Sequence, residues 1–178
     1  MPNYKRYYTP GHSVFITLVT FQRRPLLVKY IKQWSKALRL VQTKHPFRLS
    51  ASVLLPDHRH FLMELPEGDG DFSTRIGLFK AAFSRSLPKN ETISSASRAR
   101  RREREIWQRR FWEHTIRDES DFQRHFDYIH FNPVKHGHVS RCIDRPYSSF
   151  GRCVEEGIYP AEWGNIEPAE IMDLKAGE

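Results

Sequence analysis

Cysteine is nearly absent from this 178-residue chain: Cys142 and Cys153 are the only two, and no metal-ligand spacing links them. That argues against a disulfide-stapled secreted scaffold and against a cysteine-held zinc core; two reduced thiols in a cytosolic protein, with one optional disulfide, are the expectation. Long apolar runs are missing too. The longest near the start, VFITLV, is far short of the ~20 residues of a membrane helix, and MPNYKRYYTP lacks the apolar stretch of a signal peptide. The expectation is therefore a cytoplasmic protein without a membrane segment. No internal repeat is visible.

What is present is a folding composition, 39% hydrophobic and 13% aromatic, with 29 basic against 21 acidic residues and a net charge of +8. This is one domain, or one domain plus an extension, and it is large enough to bury a core. The charge is uneven, because the acidic residues crowd the end of the chain beyond Val154 and leave the preceding body more basic than the total suggests. A basic body attracts polyanions, nucleic acid foremost. The division expected is a main domain over residues 1–140 and a C-terminal extension with an acidic tail over 141–178. The tail could mask the basic face when nucleic acid is absent.

Patterning predicts a buried strand over 14–20, and a helix over 28–44 with Ile31, Trp34, Leu38 and Val41 on its apolar stripe. Strands over 47–55 and 58–65 follow, joined as a hairpin at Pro56-Asp57. A helix from Phe72 to near Pro88, capped by Asp71 or Ser73, comes next. Residues 89–105 are Ser- and Arg-rich and read as a mobile insertion or a polar helix start. A strand over 106–116 and a helix over 118–131 complete the set, Pro133 disfavouring helical geometry at Asn132. This order predicts an α+β fold: a ferredoxin-like antiparallel sheet flanked by helices, with a C-terminal extension.

Two short stretches could carry chemistry. On a strand, His58 and His60 project to one face and Arg59 to the other, so the two imidazoles could converge on one divalent ion or simply form the polar end of a strand. On the last helix, Tyr128 lies about 120° from the stripe of Phe122, Phe126 and Ile129, while Asn132 lies about 40° from Tyr128 and shares its flank with Asp121 and His125. That flank could be a site, or a polar side facing water. Arg98, Arg100, Arg101, Arg102 and Arg104 form a basic run, and Arg109 and Arg110 stand among Trp107, Phe111 and Trp112. Cations interleaved with aromatics suit single-stranded nucleic acid, although the run alone also suits a solvated segment.

His58-Arg59-His60 resembles the HUH metal motif of single-tyrosine transposases, and the likeness extends much further. LPDHRHFLMELPEGDGDFSTRIGLFKAAFSR, REIWQRRFWEHTIRDESDFQRHFDYIHFNPVKHGHV and the distal PYSSF are similar to the REP-associated tyrosine transposases, as is the opening YKRYYTPGHSVFITLVTFQRRPLL, over roughly residues 4–164. The resemblance implies a metal held by His58, His60 and, as third ligand, Asn132, with Tyr128 as nucleophile. It implies cleavage and rejoining of single-stranded DNA at a hairpin-forming repeat through a 5′-phosphotyrosine, by a monomer. Mg²⁺ or Mn²⁺ is the expected cofactor. DNA contacts are expected from Arg59, Lys80, Arg85, Arg109, Arg110 and Lys135. No general base is evident; His125, His130 and bound water are candidates. The family's middle HUH residue is normally hydrophobic, so Arg59 keeps open an alternative: a hairpin-DNA-binding protein impaired in catalysis.

Overall fold

The computed structural model describes residues 12–91, 105–166, 168–171, 174, 176 and 177. Four strands, β1 (Ser13–Val19), β2 (Arg48–Leu54), β3 (His58–Glu64) and β4 (Trp112–Thr115), form one antiparallel sheet in the order β2-β3-β1-β4. Helices α1 (Leu26–Lys29), α2 (Ile31–Lys44) and α3 (Phe72–Ser86) connect strands, and α4 (Glu119–Lys135) follows β4. This is the ferredoxin-like core expected from the sequence. A short α5 (Phe150–Glu155) lies in the C-terminal segment.

Alternation along the strands sorts the core into two layers. Val14, Ile16, Leu18, Phe61 and Met63 point toward α2 and α3, where they pack with Trp34, Phe79 and Phe83. Phe15, Ala51, Val53 and Leu62 point toward α4, where they pack with Tyr128, Ile129 and Phe131. Both β1 and β3 have neighbours on each side and helices over each face. Their side chains are consequently buried almost throughout.

Three boundaries depart from the sequence reading. Tyr30, with φ −114 and ψ 40, separates α1 from α2. The strand over 106–116 is shorter: only Trp112–Thr115 joins the sheet, Trp107 keeps a single bridge to Thr20, and the chain bends away at Arg109 and Arg110. Helix α4 does not stop at Asn132 but runs through Pro133 to Lys135. Proline removes one donor and holds a helical φ, and the freed end closes by three backbone bonds: His136 N to Asn132 O at 3.0 Å, Gly137 N to Val134 O at 2.9 Å and His138 N to Pro133 O at 2.9 Å. Gly137 takes the left-handed conformation (φ 66) common just past a helix end. Asp71, one of the two expected caps, accepts from Thr74 N at 3.0 Å.

The C-terminal segment is packed into the fold. Cys142, Phe150, Cys153, Tyr159, Ile171 and Ala176 belong to the same buried cluster as α4 and the sheet, and both cysteines are free thiols. Leu54 N donates to Tyr147 O at 2.8 Å and Ser149 N to Ser52 O at 2.8 Å, joining this segment to β2. The hidden side of α4 is therefore wider than its apolar stripe: it meets the sheet on one side and the C-terminal segment on the other. Phe150→Ala is expected to destabilise the protein by about 3–5 kcal/mol in denaturant unfolding; a loss under about 1 kcal/mol would mean the segment is dispensable for folding.

Candidate active site

Strand parity and the β2–β3 hairpin place His58 and His60 on the α4 side of the sheet. Both are nearly inaccessible, at 2% and 0%. His58 Nδ1 lies 2.7 Å from Asp57 Oδ1. Burial pushes the Asp57 carboxyl up, but hydrogen bonds and charge from His58 and Arg23 outweigh this and hold it down at about 2. An ionised carboxylate only accepts, so in the neutral ring Nδ1 carries the proton and Nε2 keeps its lone pair. Arg23 stands farther off, 3.5 Å from the same nitrogen, and donates to the other Asp57 oxygen at 3.3 Å. Among the described residues nothing hydrogen-bonds the buried Nε2 of His58.

His60 reaches the same state by another route. Its Nδ1 is 2.8 Å from Thr17 Oγ1, the residue opposite it on β1. The Thr17 hydroxyl proton is already given to Ala176 O at 2.6 Å. The oxygen must then accept from Nδ1–H, and the Nε2 of His60 is again the atom with a lone pair. Two side chains of one strand thus present the same nitrogen, each tautomer set by a neighbour from a different element. Such outer contacts are what orient imidazoles as ligands.

Helix α4 brings the remaining groups. The Tyr128 ring meets that of His60 edge-on, with centroids 5.4 Å apart, and packs against Phe15 on its other flank. Asn132, one turn on, is fully buried. The flank that the sequence left as either a site or a polar side facing water is the face pressed onto the sheet: Asp121, His125, Tyr128 and Asn132 are each 5% exposed or less. Lys135 holds its ammonium 4.8 Å from the Tyr128 ring centroid.

Sequence reasoning missed His136. It follows the extra turn beyond Pro133 and sets its ring 5.4 Å from that of His58. Although His136 is exposed, partial desolvation beside His58 and Lys135 lowers its pKa to about 4, keeping the ring neutral. Its spacing of four from Asn132 was visible in the sequence, but ending the helix at Pro133 hid it. Asp57 and Thr17 were missed for another reason: their roles rest on cross-strand and hairpin contacts.

A second group lies beyond Phe15. His114, Asp121 and His125 bring three potential ligand atoms within 4.8 Å of one another. These atoms are engaged already: Asp121 Oδ2 accepts from His114 Nε2 at 2.7 Å, Arg117 N at 3.1 Å and Arg117 Nε at 3.2 Å, while His125 Nδ1 is 2.8 Å from Asp121 O. The network ties the first turn of α4 to β4. Burial raises the Asp121 carboxyl, but the His114 and Arg117 contacts outweigh it and hold it at about 2.

Of the cations expected on DNA, Arg85, Arg109, Arg110 and Lys135 are exposed. Lys80 is half-buried and donates to Gln108 O at 2.9 Å. Arg59 departs from the expectation: it is 4% exposed, on the face opposite the histidines, with its guanidinium 5.0 Å from the Trp34 ring and 4.8 Å from that of Phe61. Strand parity sends it there, and it presents no surface to a DNA strand lying over Tyr128. The Arg98–Arg104 run falls outside the described residues. His130, a candidate base, lies away from Tyr128: it hydrogen-bonds Ser149 Oγ at 2.7 Å and packs among Phe126, Phe150 and Tyr159.

Residues 9–132 match the family described as "Transposase IS200 like". The chain is 46% identical over 172 residues to a Haemophilus influenzae protein named as a REP-associated tyrosine transposase, covering 96% of this chain and 98% of that one. It is 38% identical to a REP-associated tyrosine transposase of Escherichia coli, covering 100% of this chain and 98% of the relative. A solved structure of a REP-associated tyrosine transposase bound to a REP hairpin is similar over 100% of this chain and 98% of its own, with 38% identity and a TM-score of 0.82.

Two outcomes follow from the hydrogen-bond networks. Asp57→Asn replaces an obligate acceptor by an amide that can also donate, so calorimetric Mn²⁺ affinity should fall about 10–100-fold; equal affinity would mean the carboxylate does not set His58. Asp121, whose pKa is lowered on folding, contributes stability above about pH 4 that is lost as pH falls toward 2. Thermal melts of Asp121→Asn should therefore lie below the parent at pH 5–7, and the two curves should converge by about pH 2.

Proposed function

Since the chain belongs to the REP-associated tyrosine transposases of the IS200-like family, we propose that it cleaves and rejoins single-stranded DNA beside a hairpin-forming repeat, with Tyr128 as nucleophile. The observation that carries this reading is the pair of Nδ1 contacts: Asp57 and Thr17 engage Nδ1 of His58 and His60, which leaves their Nε2 atoms as lone-pair donors on the face where His60 meets Tyr128. Imidazole nitrogens together with a buried amide oxygen suit Mn²⁺ or Mg²⁺, so His58, His60 and Asn132 would hold the ion, with His136 within reach of the same place. When bound, a divalent cation supplies polarisation of the phosphate oxygens and offsets charge that develops in the transition state.

The chain's own groups do the rest. The Tyr128 oxygen forms a bond to phosphorus, the phenolic proton leaves, and the bond from phosphorus to the 3′ oxygen of the preceding nucleotide breaks. The products are a 5′-phosphotyrosine and a free 3′-hydroxyl. The ester conserves the energy of the broken bond, so a 3′-hydroxyl can reverse the step and join strands without ATP. A free phenol ionises near pH 10, and the Lys135 ammonium stands 4.8 Å from the centre of the Tyr128 ring. Exposed Arg85, Arg109, Arg110 and Lys135 would neutralise strand phosphates. Hairpin DNA is the proposed partner because the related solved protein carries a REP hairpin.

The alternative of an impaired, binding-only protein rested on Arg59 in the histidine motif. Arg59 points into the opposite layer, against Trp34 and Phe61, and an adduct assay decides between the two readings. A labelled single-stranded hairpin incubated with Mn²⁺ should yield a covalent adduct on Tyr128. Tyr128→Phe should abolish that adduct and change hairpin affinity by less than about threefold; an adduct on the Phe variant would show that another group is the nucleophile.

A further inference from the structure

On the face of the sheet opposite the histidines, a cleft of about 460 Å³ opens between α2, the β2 edge and the segment Pro146–Ser149. Its floor is Arg59, its apolar walls include Trp34 and Tyr147, Ser148 lines it, and Arg39 and Arg152 stand at its rim. The rim arginines are exposed and Arg59 is more than nine-tenths buried. Arg152 donates to Ser50 O at 2.8 Å and has one loose ion pair, to Glu156 at 3.9 Å.

Arg59 is the unusual group. A guanidinium carries five N–H donors and keeps its charge, so burying one without acceptors is costly. Its guanidinium lies over the rings of Trp34 and Phe61, and among the described residues no carboxylate, carbonyl or hydroxyl accepts from it. Burial alone pulls its pKa down, to about 9, with no neighbouring charge to hold it up. An apolar residue at this position would pack against the same rings without that cost.

We propose that this cleft is a binding site for a 5′-phosphorylated nucleotide, with the phosphate answering the guanidinium charges and the base lying against the half-buried ring of Tyr147. The volume sits at the small end of ligand pockets, which run from about 300 to 1,000 Å³, and suits one nucleotide unit rather than a duplex. Arginine matches phosphate with paired N–H donors, and aromatic faces accept any base by stacking. The nucleotide can come from two sources, a free mononucleotide or an unpaired residue of a DNA strand wrapped past the β2 edge. The site shares no residue with the Tyr128 chemistry.

Calorimetric titration of the metal-free full chain carrying Tyr128→Phe separates this site from the cleavage reading, because no cleavage is possible. Deoxyadenosine 5′-monophosphate should bind, and deoxyadenosine without the phosphate should bind about tenfold more weakly or not at all. Arg59→Leu should lower the nucleotide affinity at least about tenfold without lowering the melting temperature, since an apolar side chain replaces a desolvated charge. The rim variant Arg39→Glu/Arg152→Glu, which leaves the core intact, should do the same. Displacement of the bound mononucleotide by a single-stranded oligonucleotide assigns the site to the strand; simultaneous binding assigns it to the free nucleotide. Equal affinity for the nucleoside, or unchanged nucleotide affinity in both variants, overturns the proposal.

Discussion

The constraint on which the molecule depends is the alternation of side chains along β3, a strand with a neighbour on either side and helices over both faces. No position on such a strand is free to point at water, so each successive residue is committed to one of two interiors. His58, His60 and Leu62 enter the layer beneath α4; Arg59, Phe61 and Met63 enter the layer beneath α2 and α3. A slip of one residue would exchange the two sets, placing two imidazoles among Trp34, Phe79 and Phe83. The pairing of β3 with both β1 and β2 holds the register, and the same cross-strand contact that sets it, Thr17 opposite His60, also orients an imidazole.

Helix α4 completes what the strand begins. It binds the sheet through an edge that mixes aromatic and polar groups, so Tyr128 and Asn132 are buried as deeply as Ile129. Burying polar groups on a helix is tolerable only where partners await them, and β4, the connection after it and the C-terminal segment supply these: His114 and Arg117 for Asp121, Ser149 for His130. The site and the helix anchor are consequently one continuous surface. Changes to the anchor at Asp121 and changes at Tyr128 act on the same rigid element, two turns apart.

Much of this was legible in the sequence because it follows from period. Strand parity separated His58 and His60 from Arg59, and helical phase grouped Tyr128 with Asn132 and set them off from the Phe126–Ile129 stripe. What period cannot supply is what lies opposite. Asp121, His125, Tyr128 and Asn132 read as a polar flank because the second surface that covers them, the sheet face of β1 and β4, is remote in sequence. Pro133 was read as a stop because its local cost is visible, whereas the three backbone bonds that close the helix beyond it are not. Arg59 was read as a surface cation because burial of an unpaired guanidinium is rare. Its parity was correctly assigned, and only the depth of the layer that receives it was not.

The hydrogen bonds from Leu54 to Tyr147 and from Ser149 to Ser52 have a consequence for association. An outer strand with unoccupied amides and carbonyls invites another chain to extend the sheet, which is how many β-rich surfaces polymerise or recruit peptides. Here a stretch of the protein's own C-terminal segment takes up positions on β2, and the opposite border strand, β4, is only four residues long. Sheet-to-sheet continuation at the β2 border is thereby obstructed, so any assembly of two copies through that border must rely on side-chain surfaces rather than shared backbone ladders.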